Sequence, residues 1–197
     1  LMSPIVDALA DLHGELVTDH PNLGRGSIAV TEFSSQSPSL TAIPDESRIH
    51  IDRRLTIGET PDEALAEIGA LAAVQECQAE VRLLDYNQPS WRGFAYPTDK
   101  VFPAWETSID GAAVGAAMST ARQVLGREPR IHRSKFASSG CATAGLFGIP
   151  TIGFGPADEL HSHSVNDQIA LAQLQPAMAF YAMYTEIYQA ATSDRNP

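Results

Sequence analysis

The densest grouping of residues able to do chemistry lies towards the C-terminal end, where Asp158, Glu159, His161, His163, Asn166 and Asp167 follow one another closely. Histidine is the commonest transition-metal ligand, and a carboxylate or backbone carbonyl usually fixes its second ring nitrogen. His163 can therefore be read as a ligand. Local spacing alone favours the plainer reading of two ordinary loop histidines beside an acidic cluster, because a His-x-His pair is a weak signal. A second grouping comprises Arg133 and Lys135 ahead of Ser138, Ser139 and Gly140. Cationic side chains and the free amides of a helix N-terminus together receive an anion. The same residues read equally well as a solvated basic turn followed by a helix cap.

The elements expected to position these groups follow from apolar spacing. Ile5, Val6, Leu9, Leu12 and Leu16 recur at helical intervals, and the turn residues from Pro21 to Gly26 end that pattern. Ile28 and Val30, then Ile49, Ile51, Arg53 and Leu55, alternate as strands with one buried face do, on either side of a Ser-rich loop. Thr60-Pro61-Asp62-Glu63 has the form of a capping box that opens a helix through Leu65, Ile68 and Leu71. Glu80 to Tyr86 reads as a further strand. Residues 1–92 are thus expected to form a small α+β unit with an antiparallel sheet. The Pro- and aromatic-rich stretch from Asn87 to Trp105 suits a linker, and the boundary is placed at 92/93.

Residues 93–197 predict helices over Asp110 to Leu125, Ser139 to Phe147 and Asp167 to Gln189, with strands at Arg130 to His132 and Thr151 to Phe154. Alternating helices and strands imply a parallel α/β layer. Its ligands would sit beyond the strand ends, which places the loop Gly153-Phe154-Gly155-Pro156 and the histidines after it at the expected site. Leu1 reads as already inside a helix, so the chain is expected to begin in mid-domain.

Composition narrows the function classes. With 44% hydrophobic residues over 197 positions, a packed core is expected. A net charge of −11, with only 13 Lys and Arg, argues against a nucleic-acid surface. No stretch approaches the roughly 18 to 20 apolar residues of a membrane span, and the start lacks a signal-peptide layout. A cytoplasmic protein without nucleic-acid or membrane partners is expected. Cys77 and Cys141 have no motif spacing and read as free thiols.

Four stretches shift the balance at His163: Ser37-Pro38-Ser39-Leu40-Thr41-Ala42-Ile43-Pro44-Asp45, Asp52-Arg53-Arg54-Leu55-Thr56-Ile57-Gly58-Glu59-Thr60, Gly148-Ile149-Pro150-Thr151-Ile152-Gly153-Phe154-Gly155-Pro156 and His163-Ser164-Val165-Asn166-Asp167. In order and spacing they resemble the aminoacylase, acetylornithine deacetylase, succinyl-diaminopimelate desuccinylase and carboxypeptidase G superfamily of zinc hydrolases. Tyr86-Asn87-Gln88-Pro89-Ser90-Trp91 and Tyr96-Pro97-Thr98 are similar to its selenium-metabolism-linked branch.

The resemblance implies an α/β fold in which an α+β lid, or dimerisation, domain (1–92, lacking its first strand) precedes the closing α/β part of a catalytic domain (93–197). It implies that His163 is a zinc ligand, and it gives His161 no counterpart. It implies two zinc ions per site acting on an amide or peptide bond, with a Glu as general base. The family's His-x-Asp and Glu-Glu motifs match nothing in this chain, so the chain alone is expected to be silent, with no catalytic residue of its own and no tightly held zinc. Arg133, Lys135, Ser138, Ser139 and Gly140 become candidates for a substrate carboxylate, and a homodimer through the lid is implied. Two departures bear on this: Ser139 stands where the branch usually has Asn or Asp, and Thr41 where the lid motif usually has Asn. Arg54 reads as structural, with Asp52 and His50 on a polar strand face, while Glu59 and Thr60 turn the chain and cap a helix. Two other readings stay open: a non-catalytic dimerisation module, and a metal-free small-molecule-binding α/β protein.

Overall fold

The computed structural model describes residues 2–134 and 136–193. The chain divides into two compact units, 1–104 and 105–197.

In the first unit, helix α1 (Ser3–Glu15) and the residue after it bury Ile5, Leu9, Leu12 and Leu16, the stripe expected from their spacing. After the short pair β1 (Asp19–His20) and β2 (Gly24–Arg25), strands β3 (Ser27–Gln36) and β4 (Glu46–Arg54) form an antiparallel hairpin. Ile28 and the partly buried Val30, Ile49 and Ile51 face the α1 stripe and complete the core with Ile68 and Val74. Val30 lies opposite Ile51 and Glu32 opposite His50, so Thr31 is an extra residue, a β-bulge. The bulge changes the phase of β3 and brings Phe33 opposite Ile49. The Thr31 hydroxyl bonds His50 Nδ1 across it.

Helix α2 (Pro61–Gly69) begins with the expected capping box: Glu63 N–H donates to Thr60 Oγ1 at 3.2 Å and Thr60 N–H to Glu63 Oε2 at 2.9 Å. Helix α3 (Ala72–Glu76) continues at a new angle, because Leu71 has left the helical region at ψ 130°.

A buried ion pair ties these parts together. Arg53, in phase with Ile49 and Ile51 on the buried face of β4, donates to Glu59 at 2.7 and 3.3 Å, and both side chains are 10% exposed. Glu59 Oε2 also accepts the Thr56 N–H at 2.8 Å, while the Thr56 hydroxyl donates to Gly24 O at 2.7 Å. Glu59 therefore does more than turn the chain. Arg54, as expected, stays on the polar face and pairs with Asp52 at 2.8 Å. Gly26 lies so close to this group that a Cβ there would come within 2.4 Å of Arg54 O and 2.5 Å of the Arg53 guanidinium.

Three expected strands shrink or lose their ladder. Of the stretch from Glu80 to Tyr86, only β5 (Asp85–Tyr86) is laddered, against β6 (Thr98–Asp99). That pairing, with Lys100 N–H donating to Leu84 O at 2.7 Å, keeps the Pro- and aromatic-rich segment with the first unit rather than at a boundary near 92.

The second unit is built on helices α4 (Ala112–Leu125) and α5 (Leu171–Ser193), which pack together. Ala113, Ala116, Thr120 and Ala121 make the buried face of α4 small, so α5 can approach closely with Phe180, which is 1% exposed. Thr120, fully buried, satisfies its hydroxyl on Ala116 O at 2.8 Å. Gly126 ends α4 in the left-handed conformation, φ 63°.

The expected parallel layer is absent among the described residues, where every ladder is two-stranded and antiparallel. Thr151–Phe154 is not a laddered strand, and a side chain does the pairing: Thr107 Oγ1 donates to Thr151 O at 2.6 Å and accepts the Thr151 N–H at 3.1 Å. Arg130 to His132 likewise has no ladder partner. The expected helix from Ser139 to Phe147 is a π-helical turn, Cys141–Leu146, closed by Phe147 N–H on Ala142 O at 3.1 Å.

Replacing Glu59 by Gln should lower the stability of the first unit by about 2 kcal/mol, since it takes the charge from the buried guanidinium's close hydrogen bonds and leaves it the Glu67 carboxylate at 3.6 Å. Gly26→Ala should destabilise as well, by pushing the same group apart; urea unfolding followed by circular dichroism measures both. Tyr184 supplies a pH test. Burial, and then the neighbouring Tyr188, raise its phenol above the ordinary tyrosine range. A raised folded-state value means that its contribution is present below about pH 10 and is lost as the pH climbs through the folded value. Tyr184→Phe should remove a phenol that ionises above the ordinary tyrosine range, read at 295 nm, and flatten the alkaline loss of stability.

Candidate functional site

The loop that carries the histidines is held at both ends. Phe154 stacks on Phe180 of α5 with centroids 3.8 Å apart and planes 10° from parallel, and its carbonyl accepts the Tyr181 hydroxyl. Ala157, in the left-handed region at φ 81°, gives its N–H to Gln173 Oε1 at 2.8 Å. Asp158 then caps a 3₁₀ turn, Glu159–His161, by accepting the Leu160 N–H at 3.0 Å. Beyond His163, the Ser164 hydroxyl donates to His161 O at 2.8 Å and accepts the Asn166 N–H at 3.1 Å. The polar residues that gave the stretch its catalytic look are therefore largely spent on shaping it. Asp158 and Ser164 are caps.

His163 is the exception. Its backbone is left-handed, φ 61°, which is uncommon for a residue with a side chain. It is exposed, and its ring rests on Phe136 at a centroid distance of 5.1 Å and a 52° tilt. His161, half-buried, lies on the 3₁₀ turn two residues earlier. The Ser134 hydroxyl donates to the Glu159 carboxylate. Together these contacts bring Ser134 and Phe136 against the turn 159–163.

These residues lead into the expected anion site. Arg133 is exposed, and Lys135 lies outside the described residues. Gly140 N–H donates to Ser138 Oγ at 3.1 Å, Cys141 N–H to Ser138 O at 3.0 Å, and the amides of Ala142 and Thr143 to Ser139 O at 3.0 and 3.1 Å. The amides of Ser138 and Ser139, both exposed, are the ones that precede this internal network. Gly140 is buried for a steric reason: a Cβ would fall 2.2 Å from the Trp105 ring.

Among the described residues no group of three or more His, Cys, Asp or Glu side chains could hold a metal ion. One imidazole does not make a zinc site, which takes three or four protein ligands. The donor set described here therefore does not by itself fit a two-metal centre.

Residues 4–186 match the model of peptidase family M20/M25/M40. The chain belongs to this family. It is 39% identical over 181 residues to an uncharacterized protein, YgeY, of Escherichia coli (strain K12), covering 92% of this chain and 45% of that protein. It is 28% identical over 182 residues to the N-formyl-4-amino-5-aminomethyl-2-methylpyrimidine deformylase of Bacillus subtilis (strain 168), covering 88% of this chain and 42% of the deformylase. In fold it is similar to the M20 family metallo-carboxypeptidase Sso-CP2 from Sulfolobus solfataricus, with a TM-score of 0.57 at 18% identity, over 93% of this chain and 42% of the other. It is also similar to the di-peptidase Dug1p from Saccharomyces cerevisiae, with a TM-score of 0.59 at 13% identity, over 84% and 34%. The chain spans about 45% of YgeY and 42% of the deformylase. The family shown contains the one implied by the four motifs around His163, and the M20 neighbours share the mixed α/β architecture.

Phe136, Ser134, Trp105 and Thr107 were not singled out from sequence. Phe136 did carry a signal, as an aromatic residue set among the polar positions from Arg133 to Ser139. Gly140→Ala should destabilise the second unit and alter the emission of Trp105, because indole and turn cannot both keep their places; fluorescence-monitored unfolding checks this.

Proposed function

We propose that this chain is part of a zinc-dependent hydrolase of amide or peptide bonds, to which it contributes the imidazole of His163 and a segment, Arg133 to Gly140, that receives the substrate's carboxylate. The observation that carries the reading is the placement of His163: an exposed ring on a left-handed residue, at the end of a turn pinned to α5, against the segment that leads to Ser138 and Ser139. Zinc in such an enzyme lowers the pKa of a bound water and polarises the amide carbonyl. The residues described here bind and orient. An exposed guanidinium at Arg133 and the amides of Ser138 and Ser139 suit a carboxylate, and an N-acyl amino acid or dipeptide would present one. The deformylase that this chain resembles acts, by its name, on an N-formyl group, which is also an amide. The selenium-linked branch is supported by the linker residues from Tyr86 to Thr98.

With one ligand and no metal-holding group among the described residues, the 197-residue chain should not catalyse and should hold no stoichiometric zinc. Metal analysis after dialysis tests this. Tightly held zinc at one or two ions per chain would overturn the proposal that the centre needs ligands from beyond these residues.

A second role, in dimerisation, is favoured by the β3–β4 hairpin. Among the described residues each of its strands pairs only with the other, and Phe33, Leu40 and Ile43 are exposed on it or its loop. We propose a homodimer through the first unit. Light scattering should give twice the chain mass, and a strict monomer at high concentration would count against it.

A further inference from the structure

We propose that Phe136 is a positioning residue for His163, and this rests on the reading of His163 as an imidazole of the reacting site. A ligand or base histidine usually owes its orientation to a hydrogen bond at its second nitrogen. Among the described residues His163 has none, and its ring contact is the phenyl ring of Phe136, 5.1 Å away. Its left-handed backbone is a conformation that persists only when the surroundings hold it.

Phe136 is in turn held to the same turn. Ser134 Oγ accepts the Phe136 N–H at 3.2 Å while its own proton goes to the Glu159 carboxylate. One hydroxyl thus couples the backbone under the phenyl ring to the 3₁₀ turn that leads into His163. Phe136 remains 41% exposed, so burial gives a phenyl ring little reason to be there. Its aromatic partner is the imidazole. Tilted aromatic pairs at this separation are favourable beyond their buried area. The ring fixes the imidazole plane through a contact that uses neither nitrogen as a hydrogen-bonding group.

The test has two arms. In the 197-residue chain with isotopically labelled histidine, Phe136→Leu should shift the ring-proton resonances of His163, through loss of the phenyl ring current, and leave the other five of the six histidines in place. Phe136→Tyr should keep them near their original positions, and an unchanged thermal melt controls for folding. In the complete gene product, assayed on a chromogenic N-acyl amino acid, Phe136→Leu should lower kcat/KM about ten-fold, and Phe136→Tyr should restore it. Unmoved His163 resonances in Phe136→Leu would overturn the proposal. So would unchanged kcat/KM in Phe136→Leu alongside an inactive His163→Ala, a result that leaves the role of His163 standing. A fully active His163→Ala would overturn both.

Discussion

A guanidinium and a carboxylate taken out of water are each costly alone and tolerable together. The first unit is arranged around that constraint. Arg53 comes from the end of β4 and Glu59 from the turn before α2, and their pairing draws in the Thr56 amide and, through its hydroxyl, the carbonyl of Gly24. Strand, turn and helix start are thereby fixed to one charged centre. The lack of a side chain at Gly26 leaves room for it. The apolar stripe of α1 supplies the driving force for burial but says little about direction, since hydrophobic contact is non-directional. The ion pair supplies the direction.

The second unit solves a related problem with aromatic and hydroxyl groups. Phe180 is enclosed between Phe154 and Tyr184, so the loop bearing the histidines is fastened to α5 by ring stacking. Thr107 stands in for a strand at Thr151, supplying one donor and one acceptor from a single oxygen. Beyond those anchors the chain turns through two left-handed residues, Ala157 and His163. Conformations of this kind cost energy and tend to persist where their neighbours over-determine them. The loop's architecture is thus carried by a few short-range bonds, and its shape does not depend on a large buried surface.

What was legible from the residues followed the strength of the physical signal. The α1 stripe, the capping box at Thr60 to Glu63 and the stop at Gly126 each rest on local geometry, and each is present. The strands at Glu80 to Tyr86 and Thr151 to Phe154 were misjudged because a strand is defined by its partner, and apolar composition does not say whether a partner exists. At Thr151 the partner is a side chain, which no periodicity reveals. The turn at Cys141–Leu146 has helical composition yet closes with wider bonds, a difference that composition does not encode. His163 stood out through the motifs around it, whereas Phe136 became visible only once two segments were brought together in space.

The bulge at Thr31 has a consequence for how this hairpin can vary. Side chains on a strand alternate, so one supernumerary residue exchanges the inward and outward sets for everything beyond it. Phe33 meets Ile49 because of that count, not because of the identity of Thr31. Substitutions along the arm and in its Ser-rich loop are therefore cheap, while loss of a single residue between Val30 and Phe33 would swap the faces of the whole distal arm. Inheritance along this stretch should be strict about number and lenient about letters.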